Sequence, residues 1–242
     1  MNKNDWMRLL VGVLILTGLA GCGSPAESAS PAAPPRPSPS MVSPTQTPSA
    51  PLRFFTETFD SKPTGWQITQ INGDPKLLQV SIESGRWNFL LGGAYSYVYA
   101  IHQPFIYQAV HIEVHVSNRG ADRNFTSLIC QFDIDKGWYE FDISNDGSYH
   151  ILYAAWDRKA KAAHYFPLVD GASNLIRSGL SDNVYAATCN SGSLTLSING
   201  EQVHSLEDDE YALRDGRVGI GVSSFDVLPV RLEFDSVTVS AP

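Results

Sequence analysis

The stretch Gly137 to Tyr153, GWYEFDISNDGSYHILY, spaces an indole and two carboxylates at alternate positions: Trp138, Glu140 and Asp142. Alternate residues of a strand share a face. A turn at Asn145-Asp146-Gly147, with Gly147 left-handed, would fold the segment into a hairpin. The three-residue loop opposes Ile143 to Tyr149, Phe141 to Ile151 and Tyr139 to Tyr153, so one face is wholly apolar. A two-residue loop would mix the faces, and register follows the apolar face. The three-residue register therefore puts Trp138, Glu140, Asp142 and His150 together on the other face. An aromatic plate beside carboxylates and an imidazole suits a sugar, whose C–H face stacks on the ring while its hydroxyls bond the polar groups. These four are the candidate ligand-binding residues, on a face expected to be open to solvent.

The surrounding sequence must supply strands to hold them. Ala109 to Ser117 alternates strictly, with Val110, Ile112, Val114 and Val116 on one side, and Leu194, Leu196 and Ile198 alternate likewise. Asn199-Gly200 follows, a strong signal for a tight hairpin. Strand-like runs recur about every ten residues with Gly, Asn and Asp between them, and no sustained helical period appears. Arg158 to Tyr165 and Leu206 to Leu213 have room for single helical turns at most. The expectation is an all-β, two-sheet antiparallel sandwich of about 12–14 strands over residues 53–242.

The chain begins differently. Lys3 and Arg8 precede a 12-residue apolar core, Leu9 to Ala20. At about 1.5 Å per residue this helix is too short for a bilayer core of about 30 Å, and it reads as an export signal, residues 1–21. Leu19-Ala20-Gly21-Cys22 resembles the lipobox of bacterial lipoproteins, which implies cleavage before Cys22 and a lipid on its sulfur. Residues 22–52 then form a Pro/Ser-rich segment, a stalk too poor in apolar groups to fold. The expected location is outside the cytoplasm, lipid-anchored to the bacterial membrane or cell surface, with the membrane as a partner through that lipid. Of 17 Lys and Arg and 25 Asp and Glu, residues 1–52 hold three and two, which leaves the remainder at −9. An acidic domain excludes nucleic acid as a partner, since that needs a basic face. Cys130 and Cys189, an even pair in an exported chain, read as a disulfide.

In order along the chain, Glu57 to Trp66, Gly137 to Ile143, Cys189 to Val203, Gly216 to Val222 and Val230 to Val239 resemble the concanavalin A-like jelly rolls, near the laminin G-like and 3-keto-disaccharide hydrolase-type domains of bacterial lipoproteins. The resemblance implies two curved sheets, often with sugar on the concave one. Glu140, Asp142 and Asn145 also resemble the E-x-D-x-x-E motif of laminarinase-type glucanases, but the last position is an amide. An amide cannot donate and recover the proton that a retaining mechanism needs. The reading therefore favours a non-catalytic glycan-binding module, with no catalytic residues assigned. The alternatives are a sugar-processing hydrolase or lyase, or a structural module that binds protein. His111 and His115 lie about 13 Å apart on a strand, too far for one zinc. The resemblance implies a structural calcium tying the first and last strands, with Glu57, Asp60 and Asp235 as oxygen donors. Asp235 falls where the apolar phase slips, a bulge signal. Tyr95, Tyr97 and Tyr99 form an alternating stripe, expected in the core or as a second stacking platform.

Overall fold

The computed structural model describes residues 51–242; the signal segment, Cys22 and all but the end of the stalk lie outside the described residues. Fifteen strands run in order: β1 (Phe55–Glu57), β2 (Trp66–Asn72), β3 (Leu78–Glu83), β4 (Arg86–Leu91), β5 (Tyr97–Tyr107), β6 (Ala109–Asn118), β7 (Asn124–Asp133), β8 (Gly137–Ile143), β9 (Ser148–Asp157), β10 (Ala162–Ala172), β11 (Asp182–Asn190), β12 (Ser193–Ile198), β13 (Glu201–Glu207), β14 (Gly216–Ser224) and β15 (Val230–Ser240). They form two antiparallel sheets. One has the order β13-β12-β11-β6-β15-β4-β3, with β1 also paired to β15, and the other β10-β9-β8-β7-β14-β5-β2. This is the expected all-β sandwich, one strand richer than the upper expectation. Among the described residues the sole helical element is a short 3-10 turn, Pro75–Leu77. Arg158 to Lys161 is the β9–β10 hairpin turn, and the segment after Glu207 is a loop folded around Asp208.

Local sequence explains these elements. The alternating residues of β6 and β12 bury Val110, Ile112, Val114, Val116, Leu194, Leu196 and Ile198 between the sheets. Asn199 and Gly200 both take positive φ, 51° and 86°, which the tight β12–β13 turn requires. The disulfide Cys130–Cys189 joins β7 to β11, and so crosses from one sheet to the other. A register shift between Phe234 and Ser236 places Asp235 at the expected bulge.

The calcium ligands do not assemble. Glu57 accepts the Phe59 N–H at 3.3 Å, Asp60 accepts the Thr58 hydroxyl at 2.7 Å, and Asp235 pairs with Arg86 Nε at 2.7 Å. Each carboxylate is already engaged locally, Asp235 by a cation. Among the described residues no group of three metal-ligating side chains comes together. His111 bonds Thr188 across the strand pair, and His115 faces Glu113.

One feature of the second sheet controls the site. Its edge strands β10 and β2 approach each other, with Cα atoms within 8 Å, so the sheet rolls almost closed around its concave face. Bulges in β10, β7, β14 and β2 tighten the coil. Gly219 and Gly221 of β14 leave the concave face bare at the bend. A Cβ on Gly221 would lie 2.8 Å from the Tyr99 ring and 2.9 Å from Ser127 Cβ.

Candidate functional site

The β8–β9 hairpin has the expected register: Ile143 opposes Tyr149, Phe141 opposes Ile151, Tyr139 opposes Tyr153 and Asp142 opposes His150. Gly147 has φ 100°, and the three-residue loop is closed by the Ser144 N–H donating to the Ser148 carbonyl at 2.9 Å and the Gly147 N–H donating to the Ser144 carbonyl at 3.1 Å. Trp138, Glu140, Asp142 and His150 do share one face, the concave one. The face is not open, however, and this corrects the expected solvent-facing patch. Trp138 is 1%, Glu140 1% and Asp142 4% exposed. Strand β8 is buried on both sides because the rolled sheet covers its second face. Tyr99, Ile101, Ile129, Trp138 and Ala154 form a second apolar cluster there, with Phe132, Trp156 and Tyr165 packed against it.

Within this cluster the polar groups are tightly matched. Glu140 accepts the Tyr99 hydroxyl at 2.8–2.9 Å and Trp138 Nε1–H at 2.9 Å. The Tyr99 proton is thereby committed to Glu140, so at 2.8 Å the Tyr165 hydroxyl donates to Tyr99. Ser127 donates to Asp142 at 2.5 Å. Burial drives both carboxyl pKa values up, and the charge of Glu140 pushes Asp142 further, well above the usual carboxylate range. Glu140 has its own donors to hold a negative charge. Of the two, Asp142 is pushed up further and so is the member that holds a proton more readily.

His150, opposite Asp142 on β9, bonds neither carboxyl of the pair and turns toward the other mouth of the rolled sheet. Its Nδ1 pairs with Asp170 at 2.6 Å and its ring meets Phe125 edge-on. It lines a small hollow of about 200 Å³ with Arg123, Asp146 and Phe225. The opposite mouth is a larger cleft of about 460 Å³. Tyr99 and Trp138 line it with Phe132, Trp156, Ile101 and Arg217, and Glu140 lies behind their two polar tips. Asn145 lies past the end of β8, in the turn, with its amide directed at the Arg177 carbonyl, 3.4 Å away. The third position of the glucanase-like motif is thus neither acidic nor on the strand.

The sequence reading missed Tyr165, Ser127, Trp156 and Arg217. Tyr97 and Tyr99 are legible in the sequence only as part of an alternating stripe. Tyr99 is not in the sandwich core, and Tyr95 is 53% exposed. A legible signal was Gly219-x-Gly221, two bare positions on one strand face that leave room for a ring.

No protein-family model and no curated protein matches this chain. Solved structures do. A β-glucanase from Bacillus licheniformis superposes with a TM-score of 0.56 at 15% identity, covering 78% of this chain and 98% of its own. A glycoside hydrolase family 16 endo-glucanase from Bacteroides ovatus gives 0.55 at 12%, covering 77% and 99%. Carbohydrate-binding module CBM66 from Bacillus subtilis gives 0.51 at 15%, covering 74% and 96%. The neighbours are mostly named as glucan-cleaving enzymes, and together with the closed concave face this overturns the reading of a non-catalytic glycan-binding module. At these identities the likeness establishes the architecture, a concanavalin A-like jelly-roll sandwich of two antiparallel sheets.

Proposed function

We propose that this protein is a glycan-processing hydrolase whose acid–base chemistry resides in Asp142 and Glu140. The observation that carries the reading is the buried carboxyl pair itself, Asp142 raised further than Glu140 by the Glu140 charge, behind an aromatic-walled cleft. Two carboxyls in different protonation states are what glycoside cleavage uses. Asp142 gives its proton to the glycosidic oxygen as the C–O bond breaks. Glu140 stabilises the developing positive charge at the anomeric carbon. Water then adds there, and its proton returns to the pair. The half-buried Trp156 ring supplies a stacking surface for the sugar. Substrate reaches the pair when the hydroxyl bridge between Tyr99 and Tyr165 parts. With an amide at position 145, no third carboxyl takes part. The test is release of new reducing ends from a panel of β-glucans and other oligosaccharides. Wild-type protein should release them, and Glu140→Gln should lower the rate by about 10²–10⁴-fold. Equal rates in the two would overturn the assignment.

The same proposal includes display outside the cytoplasm through a lipid on Cys22, supported by the apolar core and the Leu19-Ala20-Gly21-Cys22 sequence. Cys22→Ser should shift the protein from the membrane fraction to the soluble fraction. A mutant that sediments with membranes as the wild type does would contradict it.

A further inference from the structure

We infer that the larger cleft is a blind pocket that takes the acidic end of a glycan, with Arg217 reading a terminal carboxylate. The inference rests on the hydrolase reading only for its sugar; the geometry stands separately. Because β10 comes within 8 Å of β2, the concave face has no open channel along which the middle of a polymer could lie. The inner end of the cleft is stopped by Tyr99, whose ring lies on Gly221 and whose hydroxyl is tied to Glu140 and Tyr165. While the Tyr99–Tyr165 bridge holds, a ligand therefore enters from one mouth and ends there.

The charges at that mouth indicate which end. Three charged residues line the cleft, Asp133, Asp135 and Arg217. Asp133 is taken by Lys136 Nζ at 3.6 Å and by the backbone N–H of Asp135 at 2.9 Å. Asp135 is taken by Arg158. Arg217 makes no ion pair among the described residues. Its Nε donates to the Gln103 carbonyl at 3.2 Å, which fixes the plane of the guanidinium and leaves the two terminal nitrogens for a ligand. A planar guanidinium with both ends free matches a carboxylate in a two-bond fork. The walls beside it are Ile101, Phe132, Trp138 and Trp156, so the pair would form in a largely apolar setting where it gains strength. A sugar ring carrying a carboxylate, a uronate, presents both parts: an apolar face for the indoles and an anion for Arg217.

The test uses full-length protein and three tetrasaccharide sets with one backbone: neutral, glucuronate at either end, and glucuronate at an internal position. Titration calorimetry should show an end-substituted sugar bound at least tenfold tighter than the neutral one, and the internal one bound no better than neutral. Arg217→Gln should erase that preference, and Arg217→Lys should keep part of it. Equal binding of neutral and acid-ended sugars, with no effect of Arg217→Gln, overturns the inference even if the neutral sugar is cleaved. Tight binding of the internal uronate overturns the blind pocket, and so does failure of all three sets to bind. Preferential binding of the acid-ended sugar without cleavage of any set supports the inference and removes the hydrolase reading.

Discussion

Trp138→Ala should destabilise the domain by about 3–5 kcal/mol, the range for deleting a buried aromatic. Trp138 is among the largest fully buried side chains, although it lies outside the sandwich core. Its ring packs edge-on against Tyr99 at 6.0 Å and tilted against Phe132 at 5.1 Å. Its indole N–H is also one of two donors that hold the buried Glu140 charge. Truncation leaves both a cavity and a carboxylate short of a partner, and the two costs add. Denaturant unfolding measures the loss. Leu180→Ala, at a residue 70% exposed, should stay within about 0.5 kcal/mol of wild type in the same experiment. If Trp138→Ala unfolds at the wild-type midpoint, the concave face is open and the closed-sheet description is wrong.

Opening the Cys130–Cys189 bond should lower stability by about 4 kcal/mol, since it closes a loop of roughly 60 residues. The two strands it joins belong to different sheets, so the bond restrains how far the sandwich can separate in the unfolded chain. Both cysteines are fully buried, which protects the bond from reductant while the domain is folded. The double variant Cys130→Ala, Cys189→Ala should melt roughly 8–16 °C lower than wild type. Superimposable melting curves would show that the crosslink contributes nothing to stability.

Much of the scaffold was legible because it depends on short-range pattern. Alternation fixed which face of β6 and β12 is buried, and the requirement for one apolar face fixed the β8–β9 register down to the pairing of Asp142 with His150. What could not be read was the curvature of the second sheet. Trp138, Glu140 and Asp142 look like a solvent face in a two-strand hairpin. They become interior only because β10 and β2 close over them, and those strands lie about ninety residues apart in sequence. The Tyr99–Glu140 contact likewise crosses β14 and β7, and no local period reports on it. The local partners of the calcium candidates were likewise not legible: Asp235 pairs with Arg86 of β4, a strand distant in sequence.

The central claim is that Asp142 and Glu140 share one proton and do chemistry with it, and Asp142→Asn tests this most directly. Asparagine keeps an acceptor for Ser127 and a donor for Glu140 but has no proton to give. Burial and the Glu140 charge raise the Asp142 pKa in the folded state. Stability from such a group is fully present below the unfolded-state value of about 3.9 and is lost as pH rises toward the folded value. Removing it should therefore raise the melting temperature at pH 7, and the gain should vanish near pH 3. Turnover of the best oligosaccharide substrate should fall by about 10²–10⁴-fold in the same preparation. Higher stability at pH 7 with lost turnover is the predicted result. A variant that melts below wild type at pH 7, or that turns over substrate at the wild-type rate, would contradict the account.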